Sequence, residues 1–160
     1  MKLSESKINF LDSLSRGALL TATDNEEMSN TMTVSWGGCG ILWGKQVCFL
    51  FVRPERHTYK FLENGKYLSL SFFSEEKKDT LTYCGTKSGR DVDKFKECNL
   101  EYTYENGSVL FKEAKCTIQL KALYSQELNE KCFIEPECLK WYKGQGMHKM
   151  YICEILNVKE

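Results

Sequence analysis

The chain has 160 residues, 42% of them apolar and 28% charged, a globular composition that excludes disordered and membrane-embedded classes. That length suits one ordinary domain, residues 1–160, with a core of useful size. Lysine plus arginine and aspartate plus glutamate balance at 22 each, so no bulk charge favours nucleic acid or an anionic membrane.

The opening MKLSESKINFLDSLSRG lacks an apolar run long enough for a signal peptide, and no later run could span a bilayer. A cytoplasmic location is therefore expected. Eight cysteines stand at positions 39, 48, 84, 98, 116, 132, 138 and 153, with no CxxC among them. Local redox, zinc and iron–sulfur signatures are thus missing, and each cysteine reads as a small buried hydrophobe in a reduced cell.

In chain order, the spacing predicts an amphipathic helix over Glu5–Leu14 and a strand over Ala18–Thr23. Asp24–Glu27 supplies a turn into a second strand, Thr31–Trp36. There Thr31, Thr33 and Ser35 share one face and Met32, Val34 and Trp36 the other, and three glycines follow around Cys39. A wet strand ending in a glycine-rich turn is one reading of this stretch. The other is a row of small donors and bare backbone open to a flat ligand. Gln46–Val52 is nearly all apolar and reads as a buried strand.

Pro54 suits the first position of a helix that leaves at Asn64-Gly65. Arg53, Arg56 and His57 would then crowd its positive end, where a cation costs about 0.3–1 kcal/mol unless an anion sits there. With the Thr58 hydroxyl, the two arginines would make a phosphate site; arginines in water, paired with nearby acids, are the equal alternative. Tyr67–Phe73 returns as a strand, and Glu75–Tyr83 and Asp91–Cys98 read as helical stretches. Between them "TKSGRDVDK" turns at Ser88-Gly89, with Asp91 placed to cap the next helix and Lys87 and Arg90 outside it. Alone, that segment is a turn before it is a ligand clamp. Glu101–Tyr104, Val109–Phe111, Ala114–Leu123 and Tyr151–Val158 read as strands, Asn106-Gly107 as a hairpin turn and Pro136–Tyr142 as a short helix. Many strands with few helices predict a mainly β fold, a barrel with added helices.

Several chemistries fail on inspection. "GCGILWGK" has Cys39 where a P-loop needs glycine and Gln46 after its lysine, and Trp43 spoils a dinucleotide glycine fingerprint. No GxSxG occurs, and His57 and His148 stand beside no nucleophile pattern and are too few for a metal centre. His148 is either a satisfied structural residue or a polar group aimed into a pocket.

Taken in order, "NTMTVSWGGCGILWGK", "VRPERHTYKFL", "YLSLSFF", "YCGTKSGRDVDKF" and "HKMYICEI" resemble the flavin reductase-like, FMN-binding split-barrel family, flavoredoxin-type members above all. The resemblance runs through about the whole chain. It implies an antiparallel split barrel that forms a homodimer, with FMN beside the subunit boundary. Thr31, Met32, Thr33, Val34, Ser35 and Trp36 would run along the isoalloxazine, giving it backbone and hydroxyl hydrogen bonds. Arg53, Arg56 and Thr58 would hold the phosphate, helped by Lys87, Ser88 and Gly89. His148 matches a histidine found near the flavin. Cys153 departs from the family, standing where its pattern has glycine. The function implied is an FMN-binding oxidoreductase fed by NAD(P)H, with His148 the one candidate catalytic side chain. The alternatives are an FMN electron carrier served by a partner protein, and a non-enzymatic barrel holding flavin or haem.

Overall fold

The computed structural model describes residues 1–160, which form nine strands and four α-helices. A 3-10 turn at Leu3–Glu5 and helix α1 (Phe10–Ser15) replace the single helix expected over Glu5–Leu14. Asn9 sets the start of α1 by accepting from the Asp12 N–H, and Phe10 and Leu14 bury one side. Strand β1 (Ala18–Thr23) has its expected limits and is buried at every position. Strand β2 (Ser29–Val34) stops two residues before Trp36. Strand β3 (Gly37–Leu42) follows where a glycine-rich turn was one reading. A Cβ on Gly37 would lie 2.5 Å from the Phe49 carbonyl oxygen, so close strand approach explains that glycine.

After β4 (Lys45–Val52), the expected Pro54-led helix is absent. Pro54 and Glu55 instead sit in a turn closed by the Arg56 N–H on the Arg53 carbonyl, and helix α2 (Thr58–Glu63) starts only afterwards. Arg53 and Arg56 therefore precede the helix, and the dipole argument for an anion there does not hold. Their side chains are drawn to carbonyls of other segments. Strand β5 (Tyr67–Phe72) leads through a 3-10 turn into helix α3 (Lys78–Thr86). Helix α4 spans only Lys94–Glu97, and its cap is Asp93 rather than Asp91, accepting from Phe95 and Lys96 N–H. The hairpin β6 (Tyr102–Glu105) and β7 (Ser108–Phe111) turns at Asn106 and Gly107, both with positive φ as such a turn requires. Long strands β8 (Cys116–Glu127) and β9 (Lys149–Lys159) flank a connection containing a 3-10 stretch, Pro136–Tyr142. Cys153 leaves β9 unbroken, in register with Cys48 and fully buried. No helix is long and apolar enough to cross a membrane.

Seven strands form one antiparallel sheet in the order β2-β1-β5-β8-β9-β4-β3. Its two edges, β2 and β3, are joined in the chain by Ser35 and Trp36 alone. A flat sheet with strands about 4.8 Å apart would hold those edges roughly 29 Å apart. Two linking residues reach at most about 11 Å. The sheet must curl until its edges meet, and it forms a barrel split along the β2/β3 seam.

Leu20, Leu50, Leu70, Ile118 and Leu120 fill the barrel, while Leu19, Cys84, Leu100, Val109 and Phe111 make a smaller cluster outside it. That outer layer buries Ser71 and Thr117, whose hydroxyls pair across the strands at 3.0 Å. Only half of the cysteines fit the buried reading. Cys48, Cys84, Cys116 and Cys153 are buried and Cys98 partly so, whereas Cys39, Cys132 and Cys138 are exposed.

Candidate functional site

The seam gathers most of the residues singled out from sequence. Met32 to Trp36 arrive along the β2 edge and the link, Phe51 and Arg53 from the end of β4, and His148 from the entry to β9. With Arg56 they line a recess of about 220 Å³.

Strand β2 pairs only with β1, so alternate backbone groups face away from the sheet. Lys94 Nζ donates to the Thr31 carbonyl at 2.8 Å, which identifies the outward set as Thr31, Thr33 and Ser35. Their hydroxyls behave differently, because side chains stand perpendicular to the sheet. Thr31 Oγ1 accepts from Thr21 and donates to the Leu20 carbonyl, and Thr33 donates to the Leu81 carbonyl. Ser35 alone is exposed. The row of hydroxyls is mostly spent on the fold, and the strand's backbone edge is what the recess receives.

Aromatic rings form the other wall. Trp36 lies 5.3 Å from His148 and 5.2 Å edge-on from Trp141, centroid to centroid. His148 is buried, with its Nδ1 2.8 Å from the Tyr142 hydroxyl. Burial, and then the nearby Arg53 charge, brings its pKa down to about 4, so it is neutral at pH 7.

A second recess, of about 190 Å³, shares Arg56 with the first. Thr58, Thr86, Lys87, Ser88, Arg90 and Lys94 line it, with Glu55 its one acid. Glu55 is turned away: its carboxylate takes the Gly146 N–H at 2.6 Å, and backbone N–H groups hold its pKa below the usual range. Arg56 donates to the Gly85 carbonyl at 3.1 Å, and burial lowers its pKa. Lys94, only 3% exposed, donates to the Thr31 and Cys84 carbonyls, both at 2.8 Å. Burial first, and the Arg56 charge after it, bring the Lys94 pKa down to about 8. Neither cation has a carboxylate partner. A buried lysine and a partly buried arginine without an acid are costly, and their charges favour an anion.

Arg53 is not in this second recess. It donates to the Gly146 and Trp141 carbonyls, both at 2.8 Å, and its guanidinium lies 5.1 Å over the Tyr142 ring. Gly89 is set back as well: a Cβ there would fall 2.2 Å from Asn30 Oδ1, so it serves close packing beneath the Thr86–Lys94 segment. Thr58 is buried, and its oxygen accepts from Asn30 Nδ2 at 2.8 Å. Lys94, Asn30 and Tyr142, like the wall residues Phe51 and Trp141, carry no local signal of a site. Lys94 reads as one more surface charge of "DVDKF", Asn30 carries no hydroxyl to enter the pattern, and Tyr142 meets His148 only through the fold.

Comparison with known proteins identifies the family and the fold. The model of the flavin reductase like domain matches residues 11–160. The chain belongs to the flavin reductase-like family. Among solved structures, the fold is similar to an FMN-binding protein of Thermus thermophilus with bound p-hydroxybenzaldehyde, at TM-score 0.69 and 20% identity over 90% of this chain and 70% of that one. It is also similar to flavoredoxin of Methanosarcina acetivorans (TM-score 0.71, 17% identity, 90% and 67% covered). Flavoredoxin of Desulfovibrio vulgaris (Miyazaki F) gives TM-score 0.70 and 20% identity over 89% and 68%. No curated protein matches the chain. The fold is the antiparallel split barrel expected for the family, and its candidate site lies on the open seam.

Proposed function

We propose that this flavin reductase-like protein binds FMN across the two recesses and works as an NAD(P)H-dependent oxidoreductase. The observation that carries the reading is Arg56. It lines both the aromatic, edge-lined recess and the recess with two acid-free cations, so one ligand with a flat ring and a phosphate meets both demands. The residues present fit the group. Each recess alone is below the roughly 300–1,000 Å³ of small-molecule sites, and joined they fall within that range.

In this reading Arg56 and Lys94 neutralise the phosphate, and Thr58, Lys87 and Ser88 add donors around it. The outward backbone of Thr33 and Ser35 meets the polar edge of the ring, and Trp36 and Phe51 supply its apolar contacts. Arg53 holds the β8–β9 connection against the recess. When bound, the flavin supplies the hydride and single-electron chemistry. The protein binds, orients and shields it, which fits a site with no nucleophile–base pair.

A second copy of the chain is the proposed partner. Ile41, Trp43, Ile134 and Trp141 are each more than half exposed, and the β3 edge is unpaired. A two-fold dimer would cover such a face beside the seam. Eight free thiols suit a reducing compartment, the cytoplasm.

The test is the visible spectrum. Protein as purified, or after FMN is supplied, should show flavin bands at about one equivalent per chain, and NADH or NADPH should bleach them. A chain that takes up no flavin would sink the reading. Bleaching only through an added reductase would make it an electron carrier. Sedimentation of the loaded protein at micromolar concentration should give a dimer; a loaded monomer would remove that part.

A further inference from the structure

Tyr142 belongs to none of the five motif blocks and ends the 3-10 stretch Pro136–Tyr142 between β8 and β9. Its hydroxyl is 2.8 Å from His148 Nδ1, the one side-chain hydrogen bond that His148 makes. The other ring nitrogen, Nε2, has no protein partner and is not fully buried, and His148 lines the seam recess. The Tyr142 ring is itself held. Arg53 lies over it and donates to the carbonyls on either side, those of Trp141 and Gly146, while Glu55 takes the Gly146 N–H.

We propose that Tyr142 is a positioning residue: its hydroxyl donates to His148 Nδ1 and so fixes the imidazole as a neutral Nε2–H donor facing the ring recess. A neutral imidazole has one donor and one acceptor nitrogen, and a phenol can play either part. A phenol O–H is the more acidic donor and an imidazole nitrogen the more basic acceptor, so O–H···N is the stronger direction. Burial raises the Tyr142 pKa and the Arg53 charge over the ring only partly offsets it, so the phenol keeps its proton and is available as the donor at pH 7. Burial keeps the imidazole neutral, so the bond is not displaced by protonation of Nδ1 at pH 7.

The consequence deepens the FMN reading, on which this role rests. With Nδ1 occupied and Nε2 protonated, His148 is no base. Together with Arg56 it presents donors to the recess, so the ligand atoms there must be acceptors, as carbonyl oxygens or unprotonated ring nitrogens of a flat heteroaromatic are. His148 then orients a ring or a second flat substrate, and Tyr142 sets which way the imidazole faces.

The experiment uses the full chain labelled with ¹⁵N-histidine, at pH 7, with and without added FMN. Long-range ¹H–¹⁵N correlations separate the tautomers, and the chain has only two histidines, told apart with His148→Gln. His148 is expected to show an unprotonated Nδ1 and a protonated Nε2. Tyr142→Phe, which keeps the ring beneath Arg53, should give a mixture of tautomers while the His57 signals stay in place. It should also weaken FMN and riboflavin equally, by roughly 3- to 10-fold, the range of one neutral hydrogen bond. An Nδ1–H tautomer or an imidazolium in the unsubstituted protein would overturn the proposal, as would an unchanged tautomer in Tyr142→Phe. The flavin-free spectra decide the tautomer alone. A chain that takes up no FMN therefore overturns the functional reading and not the tautomer assignment.

Discussion

Lys94 Nζ donates at 2.8 Å to the carbonyl of Thr31, a residue 63 positions away, and so caps the open edge of β2 with a buried positive charge. That charge has no acid, and a phosphate would supply one. Lys94→Met should weaken FMN by about 10- to 150-fold, the range of one charge-assisted hydrogen bond, with little effect on riboflavin. Fluorescence titration with both ligands checks it. Equal losses would assign Lys94 to the fold.

The same group sets a pH dependence. Free Lys94 titrates at about 8, below its ordinary 10.5, and a bound phosphate would push it back up. FMN binding above pH 8 must then take up a proton. FMN affinity should be flat from pH 7 to 8 and fall above it, by up to about tenfold per pH unit. Riboflavin affinity should stay flat, and the slope should vanish in Lys94→Met.

The two arginines should separate. Arg56→Ala should cost FMN about 10- to 150-fold and spare riboflavin, by the same measure of a charge-assisted bond. Arg53→Ala removes the hold on Trp141, Gly146 and Tyr142, so it should weaken FMN and riboflavin alike. A phosphate-selective loss at Arg53 would contradict its place in the structure.

Acid should expose His148. Its folded pKa is about 4 against an ordinary 6.5, so the unfolded chain binds the extra proton between those values. The stability from keeping it neutral is whole above about pH 6.5 and is lost as pH falls toward 4. The loss is at most about 3 kcal/mol, and less because the recess is open to water. The charged and titratable groups around it are Arg53, Glu55, Arg56 and Tyr142. Urea midpoints at pH 7 and 4.5 should differ less in His148→Gln than in the unsubstituted chain.

The cysteines give a stability contrast on neighbouring strands. Cys39 and Cys48 are in register on β3 and β4, but Cys39 is exposed and Cys48 fully buried. Cys39→Ser should keep flavin binding and shift stability by no more than about 0.5 kcal/mol. Cys48→Ser places a hydroxyl in the barrel core and should cost about 1–3 kcal/mol by chemical denaturation. A folded but colourless Cys39→Ser would give that thiol a role in the site.

Local residue patterns mark every strand except β3, together with the turn at Asn106-Gly107. Period-two alternation over Thr31–Trp36 marks most of β2, the apolar run marks β4, and Asn106-Gly107 marks its hairpin, because those signals depend on neighbours a few residues apart. The ordered motif blocks also sufficed to identify the family. Where the charges go is set by tertiary contacts. Pro54 looks like a helix start, yet the chain turns there because Arg53 and Arg56 find carbonyls at Gly146, Trp141 and Gly85. Lys94 looks like a solvated charge, yet α4 carries it under the β2 edge. Such side chains are placed by contacts between segments 29 to 93 residues apart, and no local pattern encodes the energy of a contact made at that separation.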